Sequence, residues 1–394
     1  MKGDSRSRST AGLRNWAVID RAALRHNLAK VQQLCPGSEI VAVVKANAYG
    51  HGDSEAVRTI LESGIPVAAF AVATLEEAEK LRAQHAAPRI VLLSGFPDEH
   101  ALQRLIAGRI EPVIHRQAQV ERVVEFARRG EFSLPVWLKQ NSGMNRLGLA
   151  ADACYDAWQR LQKETGLHVI LMSHLAYADD LENPESSIFT RKQIERFDAL
   201  RERVADSGDS PPASFAASAG IHCLPETHHD FVRPGIMLYG GSVLAHKTGP
   251  ELDLRPVMSF KARVMAINLV AAGESIGYGA TWTCDRATRV GVVSVGYADG
   301  YPRSAANGTP VLVANGNSTQ RTTVIGRVSM DMITIDLTGM DDVEVGSDVT
   351  LWGEGLSADE VASHAGTISY ELFCKVTDRV PFFHVDSEQE QDRV

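Results

Sequence analysis

Between about residue 38 and residue 240 the chain alternates between two hydrophobic periodicities, and this limits its possible folds more than anything else in it. Short apolar runs rich in β-branched residues recur at Glu39–Val44, Val67–Val72, Arg89–Leu93, Ile110–Ile114, Pro135–Leu138, His168–Met172, Phe215–Ser218 and Phe231–Leu238. Between them lie longer stretches with helical spacing, such as Ser54–Leu61, Leu75–Gln84, Gln117–Arg128, Ala151–Glu164 and Ser186–Val204. In the last of these, Ile188, Phe189, Ile194, Phe197 and Leu200 recur at intervals of about three to five residues. Strands that alternate with helices pair in parallel, with the helices covering the sheet. Eight such runs predict an α/β fold with an N-terminal (β/α)8 barrel, which takes about 250 residues. An open doubly wound sheet has the same order of elements, and counting runs does not separate the two.

After about residue 242 the pattern changes. His246–Pro256 reads as a linker, with Lys, Thr, Gly, two Pro and acidic residues. The runs that follow, Val257–Val270, Arg289–Val295, Thr309–Val313, Thr322–Ile325, Met332–Leu337 and Asp348–Trp352, are Val-, Ile- and Thr-rich and bounded by turns. One helix is expected at Ser357–Ala365. The division expected is a barrel domain over 1–245, whose extreme N-terminus is free to join the other domain, and a mostly β domain over 246–394. Two domains also suit 394 residues at about 150 per domain.

Charge and cysteine usage narrow the partners. Forty Lys and Arg against 49 Asp and Glu give a net charge of -9, which repels phosphate backbones, so no nucleic-acid partner is expected. The Arg6, Arg8, Arg14 tail is too thin to act as a basic patch. The longest apolar stretch, Ile65–Ala73, is about half of what a membrane-spanning helix needs, so no membrane partner is expected. The N-terminal MKGDSRSRSTAGLRN has no apolar core, unlike a secretory signal. Cys35, Cys154, Cys223, Cys284 and Cys374 are scattered without a CxxC pair, which points to reduced thiols in a cytoplasm. Among the 13 histidines there is no HExxH or His/Cys quartet, and no metal is expected.

The most informative stretch is Val41-Ala42-Val43-Val44-Lys45-Ala46-Asn47-Ala48-Tyr49-Gly50-His51-Gly52. A buried strand ends in a lysine and then a glycine-bearing loop, and a parallel barrel places its chemistry at that end of its strands. Desolvation there lowers a lysine's pKa and makes its amine nucleophilic. A strand-end lysine that simply points to solvent fits the same pattern. Taken singly, Tyr278 is equally readable as a strand tyrosine, Arg233 as a salt-bridging arginine and His174 as a core histidine.

In order, however, these segments are similar to those of one family. The Lys45 stretch resembles the pyridoxal-phosphate motif of alanine racemases. Lys139-Gln140-Asn141-Ser142-Gly143-Met144-Asn145-Arg146-Leu147-Gly148 resembles that family's Lys-x-Asp-Thr-Gly-Met-x-Arg-Leu-Gly. Ser173-His174-Leu175, Ala217-Ser218-Ala219, Arg233-Pro234-Gly235-Ile236, Gly277-Tyr278-Gly279-Ala280, Gly296-Tyr297-Ala298-Asp299, Arg327-Val328-Ser329-Met330-Asp331 and Ile368-Ser369-Tyr370 follow in turn. So many motifs in one order are specific.

The resemblance implies a cytoplasmic isomerase that interconverts L- and D-alanine for peptidoglycan, with pyridoxal 5'-phosphate on Lys45. Two catalytic bases are implied, Lys45 for the D-side and Tyr278 for the L-side, because racemisation takes a proton from one face and returns it to the other. His174 would flank the cofactor ring and Arg233 would contact its pyridine nitrogen. Tyr49, Ser218, the amides of Gly235 and Ile236, and Tyr370 would hold the phosphate. Arg146 and Met330 would serve the substrate, Lys139 would be carbamylated, and Tyr297, Arg303, Arg327 and Asp331 would line the approach. A homodimer with shared active sites is implied as well.

This chain departs from the family pattern at Asn141-Ser142, where Asp-Thr is common, at Ala217, where Asn is frequent, and at Ser329, where Cys is frequent. Some broad-specificity racemases carry an Asn-Ser version of the first motif. A decarboxylase of similar architecture needs no base on both faces, and the Tyr278 motif argues against it. A non-catalytic cofactor-binding barrel would end before residue 257.

Overall fold

The computed structural model describes residues 10, 12–315 and 318–387. Arg6 and Arg8 of the basic tail lie outside the described residues. The chain forms two compact units, one of residues 27–238 with 243–247 and one of residues up to 26, 239–242 and 248 onward.

Strand β1 (Asn15–Asp20) and a helix (Arg21–Leu34) come first. Next come β2 (Glu39–Val43), β3 (Ala69–Val72), β4 (Arg89–Leu92), β5 (Ile110–Ile114), β6 (Val136–Lys139), β7 (Val169–Met172), β8 (Ala213–Ala217) and β9 (Phe231–Arg233). These eight close into a parallel barrel, with Val41 opposite Ala69 on one side of β2 and Ile40 opposite Val232 on the other. The fold is the (β/α)8 barrel, and the doubly wound alternative is excluded by that closure. Burial explains the near-continuous apolar runs: strands covered on both faces have no polar side to alternate with. Phe70, Trp137, Phe215 and Val232 are all buried.

The final run, Phe231–Leu238, is shorter as a strand than its hydrophobicity predicts. It stops at Arg233 because Pro234 has no N–H for a ladder, and Ile236–Tyr239 winds into a 3-10 turn. Strand β8 starts at Ala213, two residues before the expected Phe215. A helix at Glu99–Gly108, capped by Asp98 through the amide of Ala101, adds to those foreseen.

The second unit holds β10 (Met258–Val270), β11 (Ser275–Ile276), β12 (Trp282–Thr283), β13 (Thr288–Val293), β14 (Pro310–Asn315), β15 (Ser318–Thr323), β16 (Ile333–Asp336), β17 (Asp348–Trp352) and β18 (Phe382–Val385). Strand β10 organises it: its first half pairs with β1 and β17, and its second half, past a bulge, with β13. Phe260 and Trp352 meet edge-on at 4.8 Å in its core. Strand β1 sits between β10 and β18, so both ends of the described chain meet in this sheet. The run expected at Thr322–Ile325 is half within β15, as Thr322 and Thr323, and Val324 continues only as a bridge to Ile335. The expected linker contains a 3-10 turn at Pro250–Leu252, and a helix at Ser369–Lys375 was not foreseen. Among the described residues no helix is long and apolar enough to cross a membrane, and no His/Cys/Asp/Glu cluster is placed to hold a metal.

Candidate active site

The barrel delivers five of the singled-out side chains to one rim. Lys45 and His174 stand two residues past β2 and β7, Lys139 ends β6, Ser218 follows β8, and Arg233 ends β9. All are at C-terminal strand ends, where a barrel of this kind places its chemistry.

Arg233 is buried at 4% exposure and held by neutral acceptors. It donates through Nη2 to the carbonyls of Ser173 at 2.7 Å and Phe215 at 3.1 Å, and through Nη1 to Ser214 Oγ. Burial pushes its pKa down to about 9, which still leaves it protonated near neutrality. The same Nη2 lies 3.5 Å from His174 Nδ1. Burial first, and then Arg233 and its neighbouring cations, hold His174 well below the usual imidazole range, so its ring is neutral. Lys139, 8% exposed, is pushed down to about 8 by burial and by the positive charges of Arg233, Arg146 and Lys45. The charges that act on it are all positive, and the arrangement calls for an anion.

A cradle lies beside this cluster. Ser218 Oγ accepts from the amide of Gly235 at 2.9 Å, and a Cβ at Gly235 would come within 2.5 Å of the Tyr49 hydroxyl. Only glycine allows the backbone, the tyrosine and the serine to converge there. Ile236 follows, buried. A hydroxyl pair around an amide beside glycine suits a phosphate dianion.

Tyr49 reaches this place through an unusual turn. Ala46, Asn47, Ala48 and Tyr49 have φ of 52°, 55°, 54° and 52°, and Gly50 follows at 79°. A left-handed residue other than glycine costs about 1–2 kcal/mol, so the surroundings must impose the run. Its amides bond internally, Ala48 to the Val44 carbonyl and Gly50 to the Ala46 carbonyl, each at 2.9 Å. His51 Nδ1 donates to the carbonyls of Ala48 and Tyr49, and the amide of Asp53 donates to Asn47 Oδ1 at 3.0 Å.

The departures at Asn141-Ser142 have partners of their own. Asn141 Oδ1 accepts from the amides of Gly143 and Asn145, and Ser142 Oγ lies 2.8 Å from Ser173 Oγ. Gln193 Nε2 donates to Ser142 Oγ and to the His174 carbonyl, and Arg196 donates to the Ser142 carbonyl. Bonds with Ser173, Gln193 and Arg196, together with the amides that Asn141 accepts from, therefore shape this loop. Arg146, at its end, is exposed.

The remaining expected residues stand on the β unit. Tyr278, 71% exposed, sits in the turn between β11 and β12, where Gly277, Gly279 and Ala280 take positive φ. Arg327 packs over this turn, its Nη1 3.6 Å from the Cβ position of Gly279. The loops carrying Tyr297 and Met330 are locked together: Tyr297 N donates to the Ser329 carbonyl and Ala298 N to that of Met330. A Cβ at Gly296 would lie 2.2 Å from the Met330 carbonyl oxygen. Asp331 pairs with Arg379 at 2.8 Å, and Tyr370 is partly exposed on the helix Ser369–Lys375.

Sequence reasoning missed Ser214, Gln193 and Glu77. A lone serine in the apolar run Ala213–Ala217 marks a buried hydroxyl in need of a partner. Thr74-x-x-Glu77 is a legible capping box.

Comparison with known proteins agrees with this geometry. Residues 19–243 match the family model of the alanine racemase N-terminal domain, and residues 257–384 that of the C-terminal domain. An alanine racemase of Nitrosococcus oceani is 45% identical, over 93% of this chain and 98% of its own. The crystal structure of the biosynthetic alanine racemase from Pseudomonas aeruginosa superposes with a TM-score of 0.86 at 43% identity, covering 94% of this chain and 99% of that one. The alanine racemase of Bartonella henselae, solved with covalently bound pyridoxal phosphate, has a TM-score of 0.82 at 28% identity, covering 94% and 99%.

Proposed function

Because the chain belongs to the alanine racemase family, we propose that it interconverts L- and D-alanine on pyridoxal 5'-phosphate held by Lys45, and so supplies D-alanine for peptidoglycan. The observation that carries this reading is the cradle of Tyr49, Ser218 and Gly235 beside a rim crowded with Lys45, Lys139, Arg146 and Arg233. These residues fit the cofactor: hydroxyls and an amide for a phosphate, buried cations for its charge, and a lysine for its aldehyde. When bound, pyridoxal phosphate withdraws electrons from the substrate Cα and weakens its C–H bond.

The chain's own residues do the rest. The Lys45 amine takes or returns the α-proton on the D-side, and the Tyr278 hydroxyl does so on the L-side. Arg233 would donate to the pyridine nitrogen and, with its pKa pushed down to about 9, still keeps its proton near neutrality, which would limit the cofactor's electron withdrawal and suppress transamination. Neutral His174 would flank the ring. The amide of Ile236 and the hydroxyl of Tyr370 complete the phosphate set, while Arg146 offers a planar fork to a carboxylate and Met330 stands by the substrate.

Lys139 fits carbamylation. Near pH 8 a large share of it is the neutral amine that adds to carbon dioxide, and the carbamate is the anion that the surrounding cations call for.

A homodimer is part of the same reading, one copy supplying Lys45 and the other Tyr278, whose exposed ring suits burial against a partner. A cytoplasmic location is supported by five cysteines that form no disulfide with one another. The test is an absorbance spectrum of the purified protein followed by an L-alanine to D-alanine assay. A protein that cannot be loaded with the cofactor, or one that is loaded and inert on both enantiomers, overturns the reading.

A further inference from the structure

We propose that Glu77 is the positioning residue for the Lys45–Tyr49 turn, fixing the covalent anchor and the phosphate anchor as one rigid pair; this rests on the cofactor reading above. Its carboxylate gathers amides from two neighbouring strand ends. Oε1 accepts from Ala46 N at 2.7 Å, directly after Lys45, while Oε2 accepts from Ala73 N at 2.8 Å and Thr74 N at 3.0 Å, directly after β3. The capping box of the helix Leu75–Gln84 requires only the Thr74 bond, with the Glu77 amide returning to Thr74 Oγ1 at 3.2 Å. The bond to Ala46 does nothing for that helix.

It acts instead at the joint where the chain enters four consecutive left-handed residues. The amides of Gly50, His51 and Gly52 bond carbonyls of the turn, and that of Ala48 bonds the Val44 carbonyl just before it, but the Ala46 amide is held by a side chain from another helix. The exit is held from the same helix. Lys80, three residues on from Glu77 and so on the same face, bonds both carboxylate oxygens of Asp53 at 2.8 and 2.9 Å, and the Asp53 amide bonds Asn47 Oδ1. One helix therefore clamps both ends of a turn with Lys45 at its start and Tyr49 at its end. Without the clamp, the backbone relaxes toward right-handed or extended conformations, and the amine and the phenol lose their fixed separation.

The test compares Glu77→Ala, Glu77→Gln and Thr74→Ala in the full-length protein. Thr74→Ala breaks the capping box and keeps the Glu77–Ala46 bond. Two readouts are taken: amide hydrogen exchange of the segment 45–52, and the pyridoxal phosphate concentration that half-saturates the protein. Glu77→Ala is expected to raise both about tenfold, the usual effect of losing a charged hydrogen bond. Thr74→Ala should change both less than about twofold, despite a lower Tm. Glu77→Gln, with one carbonyl oxygen left, should fall between. Adding Ala46→Gly to Glu77→Ala should recover part of the loss, because glycine takes positive φ freely. Equal behaviour of Glu77→Ala and Thr74→Ala in both readouts overturns the proposal, and if Glu77→Ala does not fold, Glu77→Gln against Thr74→Ala decides it in the same way. Borohydride treatment of the loaded wild type separates the two readings. A label absent from Lys45 removes the cofactor assignment, while the exchange comparison still judges the clamp.

Discussion

The Tyr49 hydroxyl stands 2.5 Å from the point that a Cβ of Gly235 would occupy. Gly235→Ala must therefore displace a buried phenol or the backbone that donates to Ser218. The half-saturating pyridoxal phosphate concentration is expected to rise tenfold or more, with a stability loss of about 1–3 kcal/mol from overpacking. Cofactor titration and thermal melts check this, and unchanged values would remove Gly235 from the phosphate site.

Lys45→Ala should abolish racemisation and covalent retention of the cofactor, since only a primary amine forms that bond. Borohydride reduction and peptide mapping of the wild type should place the label on Lys45. A label on Lys139 instead would exchange the roles assigned to the two.

Arg233→Glu replaces a donor that keeps its proton with a carboxyl group able to share one. Racemisation should fall, and pyruvate released per turnover, the sign of transamination, should rise. Both are read in one coupled assay with L-alanine. A variant with the parent's rate and no extra pyruvate shows that Arg233 does not touch the ring.

Lys139 gives a dependence on pH. Its pKa falls from 10.5 unfolded to about 8 folded, so between these values the unfolded chain binds more protons and stability rises with pH. Below about 8 the full penalty for burying its charge is present. In buffer free of carbon dioxide, Tm should climb from pH 8 to 10 relative to Lys139→Met. Bicarbonate should flatten this difference and give a carbamate signal with 13C label. If Tm in the two proteins follows pH alike under both conditions, Lys139 is neither desolvated nor modified.

Mixed dimers test the shared site. Lys45→Ala and Tyr278→Phe should each be nearly inactive, yet equal amounts reassociated together should recover roughly a quarter of wild-type activity, because half of the dimers are hybrid and each has one intact site. Recovery of nothing, in conditions that wild type survives, rejects the arrangement.

The barrel was legible because strands buried on both faces leave apolar runs that stand out from the helices between them. Its ends were less so: Phe231–Leu238 continues to look strand-like after Pro234 has ended the ladder. Strands β1 and β18 escaped notice because each is completed by residues at the far end of the chain. At the site, Lys45 was marked by its place after a strand, whereas its left-handed turn was not. Alanine carries no signal for positive φ at Ala46 and Ala48, and a single asparagine, Asn47, only a weak one; the bond from the Ala46 amide to Glu77, distant in sequence, and that from the Asp53 amide to Asn47 impose it. Ser214 was hidden by position, since nothing in the sequence says which serine will face an arginine from the next strand.

Strand β1 also sets an order of events on the ribosome. Ala17 pairs with Phe382, so a segment that leaves the exit tunnel early waits for one made much later. At about 5–20 residues per second that wait is roughly 20–70 s, time enough for the barrel, encoded between them, to fold first. A premature stop shortly before Phe382 would thus strip β1 of a partner as well as remove β18.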